Sequence, residues 1–189
     1  GGIAMLGKDT NNYLDLIKCA MSALDTSKKS GKNKCTVYSP ESLEKNLYTM
    51  EIIIQLQRSV LAGMNDFSVV YQQFVSSSGL NIKGAEALLR WTSKTYGEIG
   101  PMEFIPLLES DGSIIPVGNW VMEQAFATCK KWLRFYPEFV MNINVSYLQI
   151  IDKDFVIYVK NLLRKYELQA KHIVLELTES YFVTEMLVL

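Results

Sequence analysis

The order of the predicted secondary structure favours an α/β fold. After Asp66, apolar strand-like runs alternate with helical patterns, and these runs are 67–75, 84–91, 140–145 and 173–177. Strands that alternate with helices are typical of a parallel α/β sheet or barrel. Within the second run, Glu86, Leu88 and Arg90 share one face. An ionised carboxylate in an apolar strand needs a cation, a metal ion or hydrogen bonds, so this face is expected to carry the chemistry.

The composition excludes several classes of function. The 189 residues allow one domain or parts of two, and the net charge of -1 gives no electrostatic case for a nucleic acid polymer or an anionic membrane. No run approaches the ~18 apolar residues of a membrane span. Three cysteines without metal-like spacing indicate reduced thiols. We expect a cytoplasmic chain with no membrane segment, although its parent protein is free to carry an anchor upstream.

The first part of the chain has its own pattern. Residues 1–5 resemble the end of a strand, 11–24 have a helical period, 28–34 form a basic turn around Gly31, and 35–38 form a short closing strand. Ser39 and Pro40 then give a helix-start signal, and apolar residues at helical spacing continue until Gly63. This pattern predicts a long helix over 40–62.

The second part supplies the remaining elements in order. A turn is expected at 79–83 and a loop at Gly97, Gly100 and Pro101. A helix is expected to begin at 102–108 and to break at Asp111-Gly112. Two longer helices are predicted at 120–136 and 155–166.

Three strands carry an oxygen donor at or near their ends: Glu86, Asn144 and Glu176. In a (β/α) barrel, functional groups gather at the C-terminal ends of the strands. Oxygen ligands without His or Cys suit a hard cation such as Mg²⁺ or Mn²⁺, which supports phosphoester chemistry. The pattern therefore predicts a cation site.

Each of these residues also has a purely structural interpretation. Glu86 would form an ion pair with Arg90 on its own strand face. Asn144 would serve a turn or a polar network, and Asn142 is an equally polar neighbour. Glu176 and Glu179 would cap the next helix. Their placement on successive strands favours the functional interpretation of the set.

A series of ordered motifs carries a family resemblance. The motifs are Tyr71-Gln72-Gln73, Glu86-Ala87-Leu88-Leu89-Arg90-Trp91, 97–106, Gly118-Asn119-Trp120-Val121, 144–149 and 176–180. Residues 65–189 thereby resemble the N-terminal half of the EAL domain, the cyclic di-GMP phosphodiesterase family, which forms a TIM-like (β/α)8 barrel. Gln73 replaces the family's usual proline, a change in backbone stiffness rather than in a ligand.

The resemblance implies a role for each matched residue. The implied metal ligands, for Mg²⁺ or Mn²⁺, are Glu86, Asn144 and Glu176. The implied contacts to cyclic di-GMP are Gln72, Leu89 and Arg90, and Glu179 would brace a loop beside the site. The implied reaction is attack of metal-activated water on one phosphodiester, which opens the ring to linear pGpG. The only histidine, His172, matches no family role, and we expect it to be structural.

A second resemblance covers residues 20–33, where an Ala-x-x-Ala-Leu helix end is followed by Lys-x-x-Gly-Lys-Asn. This spacing resembles the C-terminal helix and hairpin of GGDEF (diguanylate cyclase-like) domains, which have an α+β fold. The two resemblances together imply the tail of a GGDEF-like domain at 1–39, a linker helix at 40–64 and the N-terminal half of an EAL domain at 65–189.

The EAL resemblance stops near the middle of the family's barrel. The Asp pair, Lys and Glu of the second half would follow Leu189, so we expect a fragment of a bacterial phosphodiesterase without efficient catalysis of its own. The alternative is a degenerate EAL module that binds cyclic di-GMP or a protein partner without catalysis. The resemblance also allows a homodimer through the EAL domain.

Overall fold

The computed structural model describes residues 1–29, 31–77, 79 and 81–177. By its internal contacts the chain forms two compact units, Gly1–Ile54 and Gln55–Leu189. The division between the units falls within one long helix.

In the first unit, helix α1 (Tyr13–Lys29) packs against two short strands, β1 (Gly2–Ile3) and β2 (Thr36–Val37). The two strands pair in parallel, because β2 returns beside the strand that precedes α1. The predicted closing strand is thus confirmed at Thr36–Val37. A Cβ atom on Gly2 would lie 2.1 Å from the carbonyl oxygen of Ala20, so glycine alone permits this close approach of strand and helix.

Helix α1 continues five residues beyond its predicted end at Leu24. The Lys32 amide donates to the Ser27 carbonyl oxygen over 3.1 Å, and Gly31 (φ 96°) stands in the left-handed region. This arrangement satisfies carbonyl groups at the end of a helix. Some basic residues of the predicted turn therefore lie in the last turn of α1, and the others lie in the loop that follows it.

Helix α2 (Pro40–Leu61) begins at the predicted proline. The Ser39 hydroxyl accepts a hydrogen bond from the Ser42 amide over 3.2 Å, which satisfies a donor of the first turn. The helix ends one residue before the prediction, ahead of Gly63 at φ 81°.

The second unit is built on a five-stranded sheet. Its strands are β3 (Phe67–Val75), β4 (Ile82–Ser93), β5 (Gly97–Ile99), β6 (Val140–Val145) and β7 (Ile173–Leu177). Their order is β3-β4-β6-β7, and β5 pairs with β4. The neighbours β4, β6 and β7 run parallel, whereas β3 and β5 run antiparallel to β4. The described strands form an open sheet rather than a closed barrel.

The antiparallel pairing of β3 with β4 departs from the predicted parallel arrangement of the strands. The connection between Val75 and Ile82 is too short for the crossover that parallel neighbours need, so the two strands form a hairpin. The predicted bounds of β3, β6 and β7 are confirmed, while β4 extends beyond the predicted 84–91 at both ends.

The helices of this unit are α3 (Pro101–Ser110), α4 (Ile114–Trp132), α5 (Tyr147–Ile150) and α6 (Phe155–Lys165). A 3-10 turn at Ala170–His172 leads into β7. Helix α4 begins at Ile114 and not at the predicted Trp120. Pro116 lies in its first turn, where a missing amide donor costs nothing, so this proline starts the helix instead of delaying it.

Side chains alternate between two faces of the sheet. The helix-covered face carries apolar residues against α3 and α4: Ala85, Ala87, Trp91, Met141, Ile143 and Val145. Trp91 is completely buried, and its ring centroid lies 6.0 Å from that of Phe104 on α3. The polar face carries the intervening residues: Glu86, Leu88, Arg90, Asn142 and Asn144. The core thus lies on one side of the sheet and leaves the other side to polar groups.

Candidate functional site

Strand register places the predicted oxygen donors on one face. Glu86 on β4 lies opposite Asn142 on β6, and Asn144 lies opposite Glu176 on β7. Opposite residues in paired strands point to the same side of a sheet, as do residues two apart. Glu86, Asn144 and Glu176 therefore share the polar face of three adjacent parallel strands, near the C-terminal ends of β6 and β7.

Two amide–carboxylate hydrogen bonds cross this face. The Asn144 amide Nδ2 donates to Glu86 Oε1 over 2.6 Å, and the Asn142 amide Nδ2 donates to Glu176 Oε1 over 2.5 Å. Hydrogen bonds to a charged acceptor are shorter and stronger than those between neutral groups. The carboxylates of Glu86 and Glu176 thus each accept a hydrogen bond from an asparagine side chain. Asn142, which the sequence pattern offers only as an alternative to Asn144, takes part beside it.

Arg90 does not pair with Glu86. Its Nη1 donates to the carbonyl oxygen of Leu89 over 2.9 Å, and its Nε lies 3.9 Å from Glu98 Oε1 on β5. The ion-pair interpretation of Glu86 and Arg90 is therefore wrong. Because the Glu98 carboxylate is mostly exposed and at the limit of contact, it leaves the Arg90 fork available for another anion.

Gln72 joins the polar face from the hairpin partner. It lies opposite Glu86 in the β3–β4 register, and its side chain is exposed. Its neighbour Tyr71 points the other way, where the hydroxyl lies 2.9 Å from Thr128 Oγ1 on α4. Burial raises the pKa of the Tyr71 hydroxyl, although the hydrogen bond with Thr128 acts to lower it. The alternation of β3 therefore directs the Tyr71 side chain towards α4 and the Gln72 side chain to the polar face.

Leu89 lies on the helix-covered side of β4, with the same parity as Ala87 and Trp91. It lines a cavity of about 230 Å³ between the sheet, α3 and α4. The structure therefore separates Leu89 from the face of Glu86. Arg90 and Asn144 also line this cavity, so it reaches the edge of the polar face.

The segment that follows Asn144 is anchored on both sides. The Ser146 hydroxyl donates to Glu109 Oε1 on α3 over 2.6 Å, and the Ser146 amide donates to Gln149 Oε1 over 3.2 Å. Ser146 and Gln149 form the capping box of α5, and the Ser-x-x-Gln spacing in the sequence is the local signal that could have found this short helix. These contacts fix the chain immediately after the strand that carries Asn144.

Other sequence candidates lie elsewhere. Glu179 falls outside the described residues. His172 is buried before β7, with Nδ1 2.8 Å from the Phe139 carbonyl oxygen. Burial also raises the pKa of the neighbouring Cys129 thiol to about 11, and its Sγ contacts the His172 carbonyl oxygen at 3.6 Å. These groups serve packing at the other end of the strands.

The donor set of the polar face fits a hard cation. On β4, β6 and β7, two carboxylates (Glu86 and Glu176) and two carboxamides (Asn142 and Asn144) present oxygen atoms, the ligand class that Mg²⁺, Mn²⁺ and Ca²⁺ prefer. Each carboxylate uses Oε1 for its asparagine, which leaves Oε2 and the amide oxygens for other partners. Within the described ranges, no group of three or more His, Cys, Asp or Glu side chains could hold a metal ion, so the asparagines are essential to this fit.

The helices in the described part of the chain do not meet the needs of a bilayer. None of them combines the length and the apolar character that crossing a membrane requires.

Curated relatives resemble the chain over nearly its whole length. It is 28% identical over 180 residues to the bifunctional diguanylate cyclase/cyclic di-GMP phosphodiesterase MucR of Pseudomonas aeruginosa, covering 95% of this chain and 26% of that protein. It is 28% identical over 183 residues to the cyclic di-GMP phosphodiesterase PdeR of Escherichia coli, covering 96% of this chain and 27% of that protein. The chain thus spans about a quarter of the length of these relatives.

The same family emerges from solved structures and from a family profile. The MucR phosphodiesterase in complex with cyclic di-GMP superposes with a TM-score of 0.63 at 31% identity, over 72% of this chain and 55% of that one. A profile described as the EAL domain matches residues 54–188. On this match, which covers most of its length, the chain belongs to the EAL domain family.

Proposed function

We propose that this chain is part of a metal-dependent phosphodiesterase that hydrolyses cyclic di-GMP to linear pGpG. The observation that carries the proposal is the convergence of Glu86, Asn144 and Glu176 on one face of three adjacent parallel strands. Membership of the EAL family supports the substrate class, since relatives such as PdeR are named cyclic di-GMP phosphodiesterases.

In this proposal the polar face divides into a cation part and a phosphate part. Glu86, Asn144 and Glu176 would hold Mg²⁺ or Mn²⁺, and the carboxylates of Glu86 and Glu176 would offset the charge of the ion. When bound, the ion polarises the phosphoryl group and activates water. Arg90 offers a planar donor fork to a phosphate of cyclic di-GMP, and Gln72 provides a neutral polar contact beside Glu86.

The sequence motifs also support two roles for residues that the geometry does not link to this face. We assign Leu89 a contact to the dinucleotide from the cavity that it shares with Arg90. Glu179 braces a loop beside the site. The assignment of Glu179 rests on the motifs alone.

We further propose that the activity belongs to a longer protein. The chain spans about a quarter of its curated relatives, and we expect it to bind the dinucleotide without efficient turnover by itself. Residues 1–39 would be the tail of a GGDEF-like domain, 40–64 a linker helix and 65–189 the first half of a TIM-like barrel. The parent protein would act in the cytoplasm, and it would dimerise through the EAL domain.

A second candidate is a module that binds cyclic di-GMP, or a protein partner, without catalysis. The observation that favours it is the donor set of the described residues, in which β4, β6 and β7 bring only two carboxylates, Glu86 and Glu176, to the polar face. A site with so few charges can hold a ligand through Arg90 without supporting hydrolysis.

Calorimetry with cyclic di-GMP and Ca²⁺ tests the shared part of both candidates. We expect Arg90→Ala to weaken binding about ten- to a hundredfold, because a charge-assisted hydrogen bond contributes roughly 1.5–3 kcal/mol. Glu86→Ala should remove the dependence on Ca²⁺. The matched controls are Arg164→Ala and Glu103→Ala, which change exposed residues on α6 and α3. Absence of binding by both this chain and the longer protein would overturn both candidates.

Chromatographic detection of pGpG separates the two candidates. Turnover by the longer protein in Mn²⁺, lost in Glu86→Ala, would support the enzyme. Tight binding of cyclic di-GMP by the longer protein, with no pGpG formed, would support the binding module.

A further inference from the structure

Asn142 occupies a distinctive position on the polar face. It lies one residue pair deeper in β6 than Asn144, opposite Glu86, and it is half-buried where Asn144 is exposed. An amide at such a depth requires hydrogen-bond partners, since an unsatisfied one costs free energy. The role of Asn142 therefore depends on which group its side-chain amide contacts.

The contact of Asn142 is the carboxylate of Glu176. The residue of β7 that lies opposite Asn142 is Val174. Glu176 is therefore the next residue of β7 on the same face of the sheet. The Asn142 Nδ2 reaches across to Glu176 Oε1 over 2.5 Å. A carboxamide that donates to one carboxylate oxygen fixes the plane of the carboxylate and leaves the second oxygen free to bind a cation.

We infer that Asn142 is a positioning residue for the cation site: its amide holds the Glu176 carboxylate in the orientation that binds the ion. The inference rests on the proposed function, in which Glu176 is a ligand. Asn142 acts through Glu176 and does not touch the cation. It differs in this respect from Asn144, which is exposed and donates a hydrogen bond to Glu86 on the same face.

The test measures free Mn²⁺ by electron paramagnetic resonance during titration of the 189-residue chain. Asn142→Leu keeps the volume of the side chain and removes its donors. Partners that orient metal ligands typically contribute 10–100-fold to metal affinity, so we expect Mn²⁺ affinity to fall by about that factor. Asn161→Leu, an exposed position on α6, is the matched control and should leave the affinity unchanged.

A second protein background, the Glu176→Asp variant, distinguishes a positioning role of Asn142 from direct binding of the cation. Glu176→Asp keeps the charge but withdraws the carboxylate by one methylene, out of reach of Asn142. In that background Asn142→Leu should change Mn²⁺ affinity by less than about twofold, because a residue that acts through another has no separate effect. An equal loss in both backgrounds would mean that Asn142 binds the ion itself and would overturn the inference.

Folding is monitored separately. Far-UV circular dichroism and thermal unfolding without metal should show the leucine variant folded, and Asn142→Ser, whose hydroxyl is too short to reach Glu176, should give the same loss of affinity. Loss of thermal stability with unchanged Mn²⁺ affinity would show a purely structural role and overturn the inference, while leaving the proposed function intact. Failure of the unmodified chain to bind Mn²⁺ would overturn the cation site and, with it, the inference.

Discussion

Ile143 and Asn144 are neighbours on β6, yet they lie in opposite environments. Ile143 is completely buried on the helix-covered face, whereas Asn144 is exposed on the polar face. A weaker contrast holds on β4, where Ala85 is buried and Glu86 is half-buried on the polar face. Because side chains alternate along a strand, a single segment supplies both the core that stabilises the fold and the groups available for binding.

The two faces differ in what they contribute to stability. Burial of a side chain such as that of Ile143 contributes about 1.5–3 kcal/mol. A hydrogen bond such as that between Asn144 and Glu86 contributes a net ~3 kcal/mol at most. Its contribution is smaller where water competes for the two groups. We therefore expect substitutions on the helix-covered face to change the free energy of unfolding and substitutions on the polar face to change ligand affinity.

The largest expected effect is on the helix-covered face. Ile143→Ala should lower the free energy of unfolding by about 2–5 kcal/mol, because it removes buried methyl groups and leaves a cavity against α4. Urea denaturation followed by circular dichroism measures this change. Under conditions where the variant remains folded, its Mn²⁺ affinity should stay within about twofold of the unmodified chain.

Asn144→Ala, one residue later, provides the opposite result. We expect at least a tenfold loss of Mn²⁺ affinity, with a change of less than about 1 kcal/mol in the free energy of unfolding. If both variants lost stability equally and neither changed metal affinity, the division of the strand into a folding face and a binding face would be wrong.

A smaller effect is expected at Gly118, where α4 meets the capping box after β6. A Cβ atom there would lie 2.2 Å from the Gln149 amide nitrogen, which is buried. Gly118→Ala should destabilise the chain by about 1–3 kcal/mol through overpacking, partly offset by the ~1 kcal/mol by which alanine favours a helix over glycine. Urea denaturation measures the net change.

Gly100→Ala is the matched control for this substitution. Gly100 has an ordinary φ of -68°, and a Cβ there would contact nothing within 4 Å. Its free energy of unfolding should therefore change by less than about 0.5 kcal/mol. A Gly118→Ala variant as stable as this control would show that the Gln149 side chain moves aside without cost.

Alternation explains which predictions from the sequence succeeded. The bounds of β3, β6 and β7 follow from short apolar runs with clear flanking residues, and the shared face of Glu86 and Arg90 follows from their spacing. What failed depends on partners distant in sequence. The hydrogen bond from Asn144 to Glu86 joins β6 to β4, and no local pattern encodes which donor meets a carboxylate.

The start of α4 and the role of Asn142 show two further limits. The effect of Pro116 depends on whether it stands in the first turn or in the interior of a helix, and the residue type alone does not decide which. Asn142 and Asn144 are identical in type and two residues apart, so the sequence could not divide their roles. The register with β7, which places Asn142 diagonally from Glu176, makes that division.

The smallest expected effect lies outside both faces, at Glu123 on the solvent side of α4. Burial acts to raise the pKa of Glu123, but hydrogen bonds from the Lys165 ammonium and the Tyr166 hydroxyl lower it overall below the usual value. A carboxyl group whose pKa is lower in the folded state stabilises fully above the pKa of the unfolded state, about 4.3, and loses this contribution as the pH falls through the folded-state value. Glu123→Gln should therefore lower the free energy of unfolding modestly at pH 7, less than Ile143→Ala does, and the difference from the unmodified chain should shrink at pH 3. Urea denaturation at both pH values, with the exposed Glu103→Gln as control, measures the difference, and an equal loss at pH 7 and pH 3 would show that the contacts of Glu123 do not depend on its charge.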